Sequence, residues 1–158
     1  MNTKKILIFG LPGSGKTTLA KALSTKLNAV HWNADAVRAN INKDLGFSEQ
    51  DRLEQSRRMG WLCDQVVKTG HWAIADFVCP TEKTREAFGD DYIKIWVDTI
   101  KEGRFEDTNK IFEPPRLGMC DFRVYSQDAE FWSKYIYEDI DIQEKPSFIK
   151  MLFRSELV

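Results

Sequence analysis

A chain of 158 residues, 42% hydrophobic and 30% charged, has the length of one globular domain and is too apolar to stay disordered. The formal net charge of −1 excludes a broad basic surface, so nonspecific binding to nucleic acid or anionic membrane is not expected. Three cysteines, Cys63, Cys79 and Cys120, form no paired motif, and only two histidines accompany them. They read as buried thiols in a reducing compartment rather than as a zinc site.

The N-terminal apolar run, KILIF at 5–9, is too short for a signal segment or a membrane span, and a cytoplasmic protein is expected. The same run reads as a parallel strand covered on both faces. A glycine-rich turn follows, then a helix from Lys16 to Leu27 with Leu19, Ala20, Leu23 and Leu27 on one stripe. AVHW at 29–32 is a short second strand, and a brief helix begins near Asp35. Ser48 caps a long helix that runs to about Thr69, with Asp51 in the capping-box position and an apolar face of Leu53, Met59, Leu62, Cys63, Val66 and Val67. HWAIADFV at 71–78 is a third strand ended by Pro80, and Thr81 caps a short helix to about Phe88. YIKIWVD at 92–98 is a fourth strand. A helix is expected over the following TIKEGRFEDTNK, dissolving into a polar segment. DFRVY at 121–125 is a fifth strand, and SQDAEFWSKYIYEDI is a last amphipathic helix.

Strands alternating with helices imply parallel βαβ units and a three-layer α/β/α sandwich with a mostly parallel sheet of about five strands. Residues 1–141 are expected to form this domain, and 142–158 a C-terminal extension without an assigned role.

GLPGSGKT, residues 10–17, satisfies the G-x-x-x-x-G-K-[ST] pattern and sits between a strand and a helix. Gly10, Gly13 and Gly15 permit a tight loop whose N–H groups, with that of Ser14, form an anion nest at a helix N-terminus. Lys16 supplies a charge for the β- and γ-phosphates, the Thr17 hydroxyl is a Mg²⁺ ligand, and Thr18 contacts the α-phosphate. ATP and Mg²⁺ are therefore the expected cofactors, within the P-loop nucleoside triphosphate hydrolase/kinase fold.

Three features favour transfer over hydrolysis. The chain has no room for switch regions. Asp76 and Asp98 end strands without the following Glu of a strong Walker-B strand. Asp35 and Arg38 lie one turn apart on one helix face. A carboxylate there can orient or deprotonate an acceptor hydroxyl, and an arginine beside it can hold an anionic acceptor. Asp35 also reads as a plain helix N-cap, Arg52 as a partner for Asp51 or Glu49, and the phenylalanines as core.

The stretch NADAVRANINKDLGFSEQDRLEQSRRMG, with the P-loop and DFVCP, resembles the adenylylsulfate kinase family over residues 3–104. LGFSEQDR is the specific part of the likeness. The resemblance implies a kinase that moves the ATP γ-phosphate to the 3′-hydroxyl of adenylylsulfate. It implies Asp35 as the acceptor-orienting carboxylate, Arg38 and Arg52 as cations for the acceptor anion, and Phe47 and Phe77 against its adenine. Gln55 stands where the family has Asn, which keeps an amide with a longer reach.

The family's lid, rich in Lys, Arg and Gly and followed by an F-T-G motif, is shortened here to RFEDTNKIFEPPRLGMCDFRV. Its cations are Arg104, Lys110, Arg116 and Arg123. Arg104 is expected on the ATP adenine, and Lys110 or Arg116 near the transferring phosphate. A small-molecule acceptor is the expected partner, without membrane or nucleic acid, and a homodimer is compatible with the sequence. A polynucleotide 5′-hydroxyl kinase and a non-catalytic nucleotide-binding module are the alternative readings.

Overall fold

The computed structural model describes residues 2–144, and most of the expected C-terminal extension, 145–158, lies outside them. Five strands form one sheet: β1 (Lys5–Phe9), β2 (Val30–Asn33), β3 (Ala73–Phe77), β4 (Tyr92–Val97) and β5 (Phe122–Val124). Their order is β2-β3-β1-β4-β5, and every pairing is parallel. The connecting helices are α1 (Lys16–Leu27), α2 (Ala34–Asn40), α3 (Glu49–Val67), α4 (Glu82–Ala87), α5 (Glu106–Ile111) and α6 (Ala129–Gln143).

The central strand shows why this sequence makes three layers. β1 is buried along its whole length, so both of its faces need apolar partners. Ile6 and Ile8 meet Leu19, Ala20 and Leu23 of α1 together with Trp132, Ile136 and Ile140 of α6. Leu7 and Phe9 point the other way, onto Met59 and Cys63 of α3 and onto Phe88. Period-two alternation in the strand and a stripe on each helix thus specify the same packing. Cys63 and Cys79 are buried, and burial raises their thiol pKa values to about 12 and about 11.

Two polar anchors hold the edges of this core. Lys5 is buried, yet its ammonium donates to the Phe88 carbonyl at 2.7 Å and pairs with Asp64 at 3.0 Å. Arg85, 6% exposed, donates to the carbonyls of Cys79, Pro80 and Glu113 and lies against the rings of Phe9 and Phe112. The α3–α4 contact is backbone to backbone, since a Cβ on Gly60 would lie 1.9 Å from the Phe88 carbonyl oxygen. Only glycine permits that approach.

Some element bounds differ from expectation for local reasons. Asn33, not Asp35, caps α2, its side chain accepting from the Ala36 N–H at 3.0 Å. Ser48 does cap α3, but Asp51 does not close a capping box. Its carboxylate instead accepts from the Gly46 N–H at 2.9 Å. Leu53 of the expected apolar face is only half-buried, while Gln55 and Ser56 are buried. The helix expected from Thr99 begins only at Glu106. Residues 99–105 run irregularly because Thr99 is tied by its hydroxyl to the Ser14 carbonyl and Gly103 packs on Pro12. Among the described residues no helix is long and apolar enough to cross a membrane.

Candidate active site

The C-terminal ends of β1, β2 and β3 open into a cavity of about 550 Å³, where ligands of open parallel sheets bind. Gly13, Gly15, Lys16, Thr17 and Thr18 line one side, while Gly10 and Ser14 are buried behind the loop. Gly15 has φ +132°, a left-handed value that lets α1 start without a side-chain cap. No acidic residue occupies the first turn of α1. The free N–H groups at that end therefore face the cavity as an anion site.

Lys16 is 9% exposed and donates to the Leu11 carbonyl at 2.9 Å. Burial lowers its pKa from 10.5 to about 8, opposed by the carboxylates of Asp76 and Asp35 and assisted by the charge of Arg104. The ammonium is thus held between two acids in a place that disfavours any charge without a partner.

Beside it stands a group that sequence reasoning passed over. Asp76, 2% exposed at the end of β3, accepts from the Thr17 hydroxyl at 2.9 Å and from the Asn33 amide at 3.2 Å. His31 of β2 closes on its other oxygen. The register pairs Asn33 directly with Asp76, so the adjacent strands deliver both to Thr17. The missing Glu reads only as favouring transfer over hydrolysis, whereas a buried acid near the end of the strand next to β1 is the signal that marks Asp76. A hard oxygen donor set of Thr17 and Asp76 fits Mg²⁺ at the loop.

The opposite wall carries the expected acceptor residues. Asp35, Arg38, Phe47, Arg52, Gln55 and Phe77 all line the same cavity. Asp35 is exposed, and its carboxylate makes no hydrogen bond among the described residues. Arg38 and Arg52 lie over the ring of Phe47, at 4.5 and 5.5 Å from its centroid. Arg38 donates to the Gly46 carbonyl at 2.8 Å and Arg52 to the Phe47 carbonyl at 2.9 Å, so the 45–48 turn is fixed between the side chains of α2 and α3 that flank it. Neither guanidinium pairs with a carboxylate within salt-bridge distance among the described residues, and the pairing of Arg52 with Asp51 or Glu49 is not formed. Burial lowers the pKa of each, and for Arg38 the neighbouring Arg52 lowers it further. Two partly buried cations side by side can hold an anion. Phe47 is 69% exposed and free to stack, whereas Phe77 packs partly into the core at 6.1 Å from Phe88.

The shortened lid covers this wall. Arg104, Phe105 and Thr108 enter the cavity, and the Asp107 carboxylate bears on Arg52. The Asn109 side chain braces the entry to α5, accepting from the Gly103 N–H at 2.7 Å and donating to its carbonyl at 3.1 Å. Arg104 bears on Lys16 and lies in the large cavity, not among the residues of a smaller hollow of about 160 Å³ behind the loop. That hollow is lined by Ser14, Thr99, Gln127 and Trp132. The other lid cations are engaged elsewhere. Lys110 pairs with Glu106, Arg116 with Glu82, and Arg123 with Asp98. Phe105 and Asp107 had no sequence signal, because their role depends on where an irregular segment lands.

These features can be set against known proteins. Residues 2–121 match the family model described as adenylylsulphate kinase. The adenylyl-sulfate kinase of Clostridium kluyveri is 35% identical over 119 residues, covering 69% of this chain and 60% of its own. That of Gloeothece citriformis is 33% identical over 101 residues, covering 59% and 57%. The chain thus spans about three fifths of the length of these curated relatives. Among solved structures, the Mycobacterium tuberculosis APS kinase CysC in complex with AMPPNP and APS superposes with a TM-score of 0.74 at 22% identity. The match covers 89% of this chain and 98% of that one. A hexameric APS kinase from Thiobacillus denitrificans gives 0.69 at 24% identity, covering 90% and 30%. The structural likeness establishes the fold, and the matched family model establishes the rest: this chain belongs to the adenylylsulphate kinase family.

Proposed function

We propose that this protein transfers the γ-phosphate of ATP to the 3′-hydroxyl of adenylylsulfate. The observation that carries the reading is the pair Arg38 and Arg52, without salt-bridged carboxylates among the described residues and over the exposed ring of Phe47, in the same cavity as Lys16 and Thr17. Adenylylsulfate is a planar purine bearing a phosphate–sulfate anion. Two cations and an open aromatic face are its complement.

In this mechanism the N–H groups of the loop and the Lys16 ammonium hold the β- and γ-phosphates. Thr17, with Asp76 beside it, would hold Mg²⁺, which would supply positive charge to the triphosphate. Asp35 accepts a hydrogen bond from the 3′-hydroxyl and takes its proton as the oxygen bonds to the γ-phosphorus. The bond from that phosphorus to the β–γ bridging oxygen breaks, and ADP leaves with its electron pair. Arg38 and Arg52 keep the acceptor anion in place while Arg104, beside Lys16, balances the charge moving between the nucleotides.

An ADP-release assay with adenylylsulfate and with a 5′-hydroxyl oligonucleotide tests the reading. Turnover with the first and none with the second is expected. Asp35→Asn should lower kcat by roughly 10²- to 10⁴-fold, the usual contribution of a positioned base, with little change in the KM for ATP. Transfer to the oligonucleotide alone would replace this reading with polynucleotide kinase activity, and ATP binding without any transfer would leave a binding module.

A further inference from the structure

Behind the acceptor wall lies a chain of side chains with a defined direction. Arg58 is held by Asp44 through two contacts of 2.8 Å and by Glu54 at 3.1 Å. Its remaining contact reaches Asn42 Oδ1 at 3.3 Å. A guanidinium only donates, so the Asn42 atom facing it must be the carbonyl oxygen. The Asn42 amide nitrogen then points away and donates to Gln55 Oε1 at 2.8 Å. The Gln55 carbonyl is thereby used, and only its Nε2 remains.

That nitrogen is buried and has no hydrogen-bond partner among the described residues. Gln55 and Asn42 are each 2% exposed, and Gln55 lines the cavity beside Arg38 and Arg52. An unpaired buried donor is costly and is found where a ligand completes it. The amide cannot turn over to relieve itself, because its oxygen would then lose the donor that Asn42 supplies.

We infer that Arg58 and Asn42 are positioning residues that fix Gln55 as an obligate hydrogen-bond donor to the acceptor nucleotide. The pocket then selects acceptors that present a lone pair at this point. The inference rests on the reading of the cavity as the adenylylsulfate site. Arg58 and Asn42 touch no substrate and act through the direction they impose on one amide.

The test titrates adenylylsulfate at saturating ATP with near-isosteric variants. Gln55→Glu puts an oxygen where the donor was. Asn42→Asp still accepts from Arg58 but no longer donates, so the Gln55 amide reverses and presents its oxygen to the cavity. Both are expected to raise the KM for adenylylsulfate about 10- to 100-fold, with the KM for ATP and the Tm little changed. Adding Asn42→Asp to Gln55→Leu should have no further effect on that KM, because the relay has only one outlet. A merely structural link would instead lower the Tm of each variant and leave the acceptor KM where it was. An Asn42→Asp effect that adds fully to Gln55→Leu also overturns the relay. Wild-type protein without turnover on adenylylsulfate overturns the substrate reading itself, and the relay's named ligand with it. Active wild type with unchanged variants overturns the relay alone.

Discussion

The two walls of the cavity are built on different principles. The nucleotide wall is one contiguous stretch that offers backbone N–H groups and the uncapped start of α1 to the cavity. The acceptor wall draws side chains from α2, the 45–48 turn, α3, β3 and the 104–108 segment, with Arg38 and Arg52 held by carbonyls of the 45–48 turn. Backbone recognition tolerates changes of neighbouring side chains, because its donors belong to every residue. Side-chain recognition depends on second partners and fails when any of them is altered.

Substitutions can break this contrast, the largest effect first. Lys16→Ala removes the ammonium of the backbone wall and should lower kcat/KM by roughly 10³-fold in the ADP-release assay. A loss under tenfold would mean that the loop amides suffice without it. Next, Asp76→Asn keeps the shape beside Thr17 but removes the charge and should raise the Mg²⁺ concentration for half-maximal activity about 10- to 100-fold. An unchanged Mg²⁺ titration would return Asp76 to a purely structural role.

A pH series sharpens the comparison on the nucleotide side. Burial lowers the Lys16 pKa to about 8, whereas bound phosphates favour the charged ammonium. Above that pH, binding must take up a proton, so ATP affinity should fall toward tenfold per pH unit as pH rises from about 8 toward 10.5. Isothermal titration at several pH values reads the slope, and a flat profile over that interval would contradict the buried-lysine assignment. The smallest effect concerns a supporting partner of the acceptor wall. Ser48→Ala deletes the cap that accepts from the Asp51 N–H at 3.1 Å and should cost about 1 kcal/mol in denaturant unfolding.

The same contrast explains what could be read from the sequence. The parallel five-strand sheet and its three layers followed from alternating elements, and the loop from a contiguous motif whose physics is local. Asp35, Arg38, Phe47, Arg52, Gln55 and Phe77 were legible through family resemblance, and the structure brings them together in one cavity. Asp76 was visible, but its missing Glu reads only as favouring transfer over hydrolysis. His31 and Asn42 were not legible at all, since their meaning comes from register across β2 and β3 and from an amide contact spanning 13 positions. The start of α5 was misjudged because Thr99 and Gly103 are committed to the loop and to Pro12, which local propensity does not register.

Arg85 has a consequence for movement. It gathers the carbonyls of Cys79 and Pro80, in the cavity floor, with that of Glu113, just past the end of α5. The Glu113 N–H also donates to the Pro80 carbonyl at 2.7 Å, and the Glu113 carboxylate accepts from the Glu82 N–H at 3.0 Å. One edge of the covering flap is therefore riveted to the floor it covers. Any displacement of this segment would have to break contacts at both ends, since Thr99 is tied to the Ser14 carbonyl and Gly103 packs on Pro12.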